Sequence, residues 1–231
     1  MFERSVAYYD ALYAFKNSPA SAERLRATIA RLHPGARTIL DVACGTGFAL
    51  AELQPFYEVE GVDLSAEMLA AARARCPTVR VHQADMAAFE LNRVFDVVTC
   101  LFSSIAYVET VQRLRTAIAS MARHLAPGGL LLVEPWFTPD TYWTDRLTAN
   151  VVDEPDLKIS WMYLSRLVGR LSVLDIHFQV GTPRGIEQFV ERHQLGLFTH
   201  EEYLESFTAA GLRVMHEPDG VHGRGLYVGR T

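Results

Sequence analysis

The sequence predicts an α/β fold, a doubly wound and mostly parallel sheet carrying an inserted antiparallel β meander. Three observations carry that expectation. Between residues 37 and 135, short β-branched apolar runs alternate with helical patterns. The links between them are short, which implies right-handed crossovers and helices on both faces of one sheet. Beyond Pro135 the helical period vanishes and alternation of period two takes over.

In order along the chain, residues 1–20 carry Tyr8, Tyr9, Tyr13 and Phe15 and read as an aromatic N-terminal lid. Residues 21–135 read as the core. Its first helix, over 21–33, places Leu25, Ile29 and Leu32 on one stripe and stops at Pro34-Gly35. TILDVA (38–43), VEGVD (59–63), VRVHQA (79–84), FDVVTCLF (95–102) and GGLLLVEP (128–135) read as buried parallel strands. Ser65 and Thr110 stand where N-caps belong, and Pro127-Gly128-Gly129 is the expected stop for the helix after Thr110. Residues 136–198 read as the inserted meander, with three alternating runs within 157–197. Residues 199–231 return to the core through a capping box, Thr199 with Glu202, then a helix and two closing strands.

At 231 residues the chain buries enough surface to need no disulfide or metal. A formal charge of −5 argues against an unaided grip on a polyphosphate backbone, so no nucleic-acid partner is expected. The three cysteines, Cys44, Cys76 and Cys100, show no metal-ligand spacing and suit a reducing compartment. No apolar run is long enough to span a bilayer, and MFERSVAYYD does not resemble a signal peptide. A cytoplasmic protein without a membrane partner is expected; a monomer or a homodimer is left open.

The most informative motif is DVACGTG, Asp41 to Gly47, closing the first parallel strand. A glycine-rich strand-to-helix turn lets a ligand approach bare backbone beside a helix N-terminus. Leu50 stands where a dinucleotide fingerprint needs a third small residue, and no Gly-Lys-Ser/Thr follows, so neither an NAD-type turn nor a phosphate loop fits. A second acid, Asp63, ends the second strand, where a carboxylate can accept both hydroxyls of a ribose.

DVACGTG, then GVDLS with Asp63, then QADM with Asp85, resemble the cofactor motifs of class I S-adenosylmethionine-dependent methyltransferases, which share a Rossmann-like sheet. The resemblance implies that Asp41, Ala43, Gly45 and Gly47 pack against the methionine part, that Asp63 holds the ribose, and that Asp85 and Met86 read the adenine. It extends to Leu64, Met68 and Leu101 beside those motifs, and to Tyr9 and Tyr13 as the covering lid. Over nearly the whole chain, CLFSSIAY (100–107), LLVEPWF (131–137), IHFQV (176–180) and HGRGLYVG (222–229) are similar to N,N-dimethyltransferases of nucleotide-linked amino sugars in macrolide-type antibiotic biosynthesis. The implied cofactor is S-adenosylmethionine and the implied acceptor a TDP-amino deoxysugar. Methyl transfer of this kind needs alignment and exclusion of water rather than a triad or a metal, and no metal site is expected.

Candidate acceptor-side residues lie at the carboxyl edge of the sheet. Glu134, with Trp136 beside it, could orient an amine, although a carboxylate stabilises the ammonium and so hinders deprotonation. Ser104 and Tyr107 follow the fourth strand; Tyr107 is either a proton acceptor or an ordinary helix-start aromatic. His177 lies on the face opposite Ile176 and Phe178, facing either solvent or the site. Cys44 reads as a packing residue and His124 as a helix C-terminal histidine favoured by the dipole. Arg166 and Arg224 are candidates for a diphosphate, Arg166 reading more readily as solvated. Other acceptors (an amino acid, an amine or a phenol), a nucleic-acid methyltransferase and a non-catalytic regulator are the competing readings.

Overall fold

The computed structural model describes residues 4–14 and 19–231; Phe15, one of the expected lid aromatics, lies outside the described residues. A 3-10 turn, Ser5–Tyr8, runs into a single helical turn α1 (Tyr9–Leu12). Helix α2 (Pro19–Leu32) starts two residues earlier than expected, because Pro19 presets the helical φ at a position that needs no N–H partner. The core then follows as β1 (Thr38–Val42), α3 (Phe48–Leu53), β2 (Glu58–Asp63), α4 (Ala66–Arg75), β3 (Arg80–Gln83), β4 (Phe95–Cys100), α5 (Val111–Ala122) and β5 (Leu125–Val133).

These strands and two later ones, β10 (Arg213–Glu217) and β11 (Leu226–Arg230), form one seven-stranded sheet in the order β10-β11-β5-β4-β1-β2-β3. Strands β1 to β5 pair in parallel, while β11 is antiparallel to both β5 and β10. Alternation divides the core between two faces. Leu40, Val42, Leu131 and Val133 pack with α5 and with α6 (His200–Ala209). Ile39, Val97, Leu130 and Leu132 pack with α2, α3 and α4 through Leu25, Ile29, Leu50 and Leu69. Ser65 and Thr110 cap α4 and α5 as expected, and Thr199 closes a full capping box with Glu202.

Two expectations need correction. Helix α5 ends at Ala122, not at Pro127, and Leu125 already pairs with Phe95 before a register shift that accommodates Pro127-Gly128-Gly129. His124 turns the chain there. Its Nδ1 donates to the Ser120 carbonyl and its Nε2 accepts the Leu91 N–H, so hydrogen bonds at both nitrogens fix the buried ring just past the end of α5. The meander contains four strands rather than three: β6 (Leu147–Glu154), β7 (Leu157–Val168), β8 (Leu171–Thr182) and β9 (Gly185–Gly196), in that order. Strand β6 is exposed along most of its length, so it lacks the apolar alternation that marks the others.

The inner face of this second sheet carries Ile159, Leu174, Ile176, Phe178 and Leu195, packed against Leu12 and Ala106. The N-terminal segment, the meander and the carboxyl edge of the parallel sheet therefore meet over one region.

Candidate active site

The turn after β1 passes through Ala43, Gly45 and Gly47, all at positive φ (61°, 54° and 76°). Gly47 is required by packing, since a Cβ there would lie 3.0 Å from Cβ of Ala72 in α4. Gly45 is required by space: its φ is positive, and a Cβ would project toward Met68 Sδ into a cleft that both residues line. Cys44 lies behind the turn with its thiol packed against Gly61, and burial pushes that thiol well above its ordinary pKa. It is inert packing, as its sequence context suggested.

The cleft has a volume of about 300 Å³. Asp63 forms one wall, its Oδ2 accepting the Gly45 N–H at 2.8 Å and its Oδ1 the Ser65 N–H at 2.9 Å. Each oxygen keeps a lone pair for a ligand hydroxyl. Burial raises the Asp63 pKa, partly offset by those N–H bonds. At the far end Asp85 accepts the Ala87 N–H and pairs with Arg113; burial opposes ionisation, but the two contacts together hold its pKa below the ordinary value. Beneath the turn, Asp41 accepts the Thr99 hydroxyl at 2.7 Å. Its burial, reinforced by Asp63 and only partly offset by Thr99, pushes its pKa up to about 7.

A second cleft of about 250 Å³ lies between the parallel sheet and the meander, lined among others by Tyr13, Trp136, Trp161, Tyr163, His193 and Arg224. Tyr9, Ser104 and Tyr107 line both clefts, so the two spaces meet at these three side chains. The backbone that presents Ser104 and Tyr107 is strained: Phe102 and Ser103 lie at φ 54° and 62°. The Phe102 N–H donates to Glu134 Oε2, and the Ser103 hydroxyl donates to the Pro135 carbonyl at 2.6 Å. The N-terminal segment is attached to the glycine turn as well. Thr46 of the glycine turn donates to Asp10 of α1, and Arg75 bridges both residues.

Arg224 stacks on Trp136 and Phe137, its guanidinium carbon 4.3 and 4.9 Å from the ring centroids. Burial lowers its pKa, against the nearby charge of Glu134. The indole N–H of Trp136 is buried with no hydrogen-bond partner among the described residues. Such a donor on the wall of a cleft awaits an acceptor atom from a ligand.

Of the expected cofactor residues, Tyr9, Ala43, Gly45, Asp63, Leu64, Met68, Asp85 and Met86 line the first cleft. Asp41 and Gly47 support it from beneath without lining it, Tyr13 lines the second cleft, and Leu101 turns into the core beside Leu25 and Leu53. Of the acceptor residues, Ser104, Tyr107, Trp136 and Arg224 line the second cleft. Three do not. Glu134 is fully buried, and its oxygens are taken by the Phe102 N–H, the His222 N–H and His222 Nδ1. His177 is exposed, because its register opposite Met162 places it on the outer face of the meander. Arg166, exposed and of the same phase as Met162 along β7, lines neither cleft. The residues sequence reasoning missed are chiefly Trp161, Tyr163 and His193, which alternation puts in phase with the apolar residues Ile159, Phe189 and Leu195 of the same strands.

A sheet of this order, with a glycine turn after its first strand, an acid ending its second and an aspartate after its third, defines the class of S-adenosylmethionine-dependent methyltransferases. Residues 39–129 match the family described as "Methyltransferase domain". The chain is 39 % identical to dTDP-3-amino-3,4,6-trideoxy-alpha-D-glucopyranose N,N-dimethyltransferase of Streptomyces venezuelae, covering 96 % of this chain and 95 % of that one. It is 40 % identical to dTDP-3-amino-3,6-dideoxy-alpha-D-glucopyranose N,N-dimethyltransferase of Streptomyces fradiae, over 93 % and 85 % of the two chains. The crystal structure of Streptomyces venezuelae DesVI superposes with a TM-score of 0.92 at 39 % identity, over 96 % and 95 % of the two chains. SAM-bound CalS10, an amino pentose methyltransferase from Micromonospora echinaspora, does so at 0.87 and 36 % identity, covering 96 % of each. The chain belongs to this family of S-adenosylmethionine-dependent N-methyltransferases. Among the described residues no helix is long and apolar enough to cross a membrane.

Proposed function

We propose that this enzyme N,N-dimethylates the amino group of a dTDP-linked deoxyamino sugar, a small soluble acceptor of the cytoplasm rather than a nucleic acid or a membrane lipid. The observation that carries the reading is the pair of clefts meeting at Tyr9, Ser104 and Tyr107, the second containing a half-buried guanidinium on an aromatic wall. S-adenosylmethionine, when bound, supplies a methyl group already activated on a sulfonium sulfur.

The chain's own residues bind, orient and exclude water. Asp63 takes the ribose hydroxyls with the lone pairs left free by Gly45 and Ser65. Ala84, Asp85 and Met86 border the adenine, and Gly45 allows backbone approach to the methionine part. Tyr9 closes over the junction. On the acceptor side, Ser104 and Tyr107 orient the amine, the Trp136 indole N–H meets a sugar oxygen, and Arg224 meets the diphosphate. The test is incubation with S-adenosylmethionine and dTDP-amino sugars, read by product mass. One and then two added methyl groups are expected; methylation confined to free amino acids or phenols would overturn the assignment.

A further inference from the structure

Tyr107 stands where the two clefts meet, and its Oη lies 2.8 Å from Nδ1 of His193, which also lines the second cleft. His193 is 2 % exposed, and its Nε2 lies 3.8 Å from Oε2 of Glu191, itself 6 % exposed. The two residues are two apart on β9 and share its inner face. Glu191 in turn accepts the backbone N–H groups of Arg4 and Ser5 and the Ser5 hydroxyl. Tyr107, His193 and Glu191 thus stand in line between the junction of the clefts and the N-terminal segment, joined by a hydrogen bond at Tyr107–His193 and by a 3.8 Å ion-pair distance at His193–Glu191.

We propose that Tyr107 and His193 form the proton relay that frees the acceptor amine, with Glu191 as the group that steadies the charged imidazole. The proposal rests on the reading of the acceptor as an amine. An ordinary alkylamine has a pKa near 10, so only about one molecule in a thousand is neutral at pH 7. The lone pair must be released before it can attack. In the relay, the ammonium N–H bond breaks toward Tyr107 Oη while the Tyr107 O–H bond breaks toward His193 Nδ1. The amine is left neutral, the tyrosine is unchanged, and the proton resides on His193. Its Nε2–H then faces the Glu191 carboxylate. His193 gives this proton up to solvent between the two transfers, and the second methylation then repeats the same removal on the monomethylated nitrogen.

The surroundings favour this assignment. Among the described residues, the other titratable or charged groups facing the relay are Tyr9, Tyr13, Tyr163 and Arg224, with Arg4 beyond Glu191. Burial, reinforced by Tyr13, Tyr9 and Glu191, pushes the Tyr107 phenol far above its ordinary pKa, so it passes a proton and does not hold a negative charge. Tyr9 and Tyr13 are raised in the same direction by burial. Among the described residues lining the second cleft, His193 is the imidazole, and its Nδ1 lies within hydrogen-bond reach of the Tyr107 hydroxyl. Arg224, on the same cleft, opposes a positive charge on the amine and on His193 alike, and at His193 the Glu191 carboxylate 3.8 Å from Nε2 offsets it.

The test compares wild type, His193→Asn and Tyr107→Phe across pH 6.5 to 10 with a dTDP-amino sugar. Asparagine retains an acceptor for the Tyr107 hydroxyl but cannot hold a proton, and phenylalanine keeps the ring while removing the relay atom. Both variants are expected to lose about 10²-fold or more in kcat at pH 7, and to recover toward wild type as the pH approaches the amine's own pKa. His193→Asn should leave the cofactor dissociation constant, by calorimetry, unchanged. In ¹⁵N-histidine NMR spectra of the cofactor-free enzyme, Tyr107→Phe should shift the titration of His193. A loss equal at every pH, or no loss, overturns the relay. A wild type inactive on amino sugars at every pH overturns the acceptor reading, and the relay falls with it.

Discussion

The buried carboxylate of Glu134 accepts the Phe102 N–H at 2.8 Å, and this bond spans from the end of β5 to the turn that follows β4. It fixes the left-handed pair Phe102-Ser103, on which the placement of Ser104 and Tyr107 depends. Through His222 the same carboxylate also holds the loop that carries Arg224. Glu134 is thus a structural anchor between two walls of the acceptor cleft. Glu134→Ala leaves buried donors without a partner, at about 1–3 kcal/mol each, and is expected to lower unfolding stability by about 3 kcal/mol or more in urea titrations. Its loss of activity should be the same at pH 7 and pH 9.5. Recovery at high pH would instead make Glu134 the proton acceptor.

Asp63 holds the glycine turn and the start of α4 together while keeping lone pairs for a ligand. Asp63→Ala is expected to weaken S-adenosylmethionine binding by about 1–3 kcal/mol, the cost of leaving polar partners unmatched in a closed site. Calorimetry on folded variant checks this. Unchanged affinity would remove Asp63 from the ribose site.

Asp41 makes the stability of the cofactor-free enzyme depend on pH. Its folded pKa, about 7, lies above the ordinary 3.8, so the folded state binds the proton more tightly than the unfolded chain does. The resulting stability is complete below pH 4 and is lost as the pH rises through 7. Asp41→Asn keeps an acceptor for Thr99 and removes the titration. Its stability advantage over wild type is expected to widen by roughly 2–3 kcal/mol between pH 5 and pH 8. Urea unfolding at the two pH values measures it; a constant gap would show that Asp41 stays ionised when buried.

The parallel core was legible because its strands are continuous apolar runs and its caps and glycine turn occur at fixed offsets. Part of the first cleft followed, since Ala43, Asp63 and Asp85 on its walls end or closely follow three of those strands. The acceptor cleft was less legible, because it depends on how the meander is docked. Alternation placed His177 on the face opposite Ile176 and Phe178 without showing which face would be covered. Pairing with β7 decided it, and His193 on β9 took the inner position instead. Glu134 shows the same limit: a strand-end acid can be located from sequence, but its partners, Phe102 and His222, lie 32 and 88 residues away.

The lid is held by Asp10, which accepts from Thr46 and pairs with Arg75, and by Glu191 at the other end of the segment. Tyr9 lies between those anchors and Tyr13 just beyond Asp10, their ring centroids 4.7 Å apart and their planes tilted by 43°. Bound cofactor should hold Tyr9 in place, so S-adenosylhomocysteine is expected to slow protease cleavage within residues 1–20. Asp10→Ala should speed cleavage in the free enzyme. Equal rates with and without ligand would show that the segment does not close on the cofactor.

Arg224 separates a reading of sugar recognition from one of nucleotide recognition. A sugar amine offers little surface, so much of the binding energy has to come from remote parts of the acceptor. Arg224 lines the second cleft and also an outer groove with Arg24 and His222, so a diphosphate crossing from one to the other passes its guanidinium. Its stacking on Trp136 and Phe137 satisfies the face of the guanidinium and leaves its edge for phosphate oxygens. Loss of a charge-assisted contact of this kind costs about 1.5–3 kcal/mol, which is a rise in KM of roughly tenfold to a hundredfold. Arg224→Ala should therefore raise KM for the nucleotide-linked sugar and leave kcat nearly unchanged, because the contact is the same in ground and transition states. Cofactor affinity should not change, since Arg224 does not line the first cleft. The free amino sugar provides the control. With no diphosphate to contact, wild type and Arg224→Ala should act on it alike, whereas an equal loss on both substrates would make the arginine a part of the wall that supports Trp136.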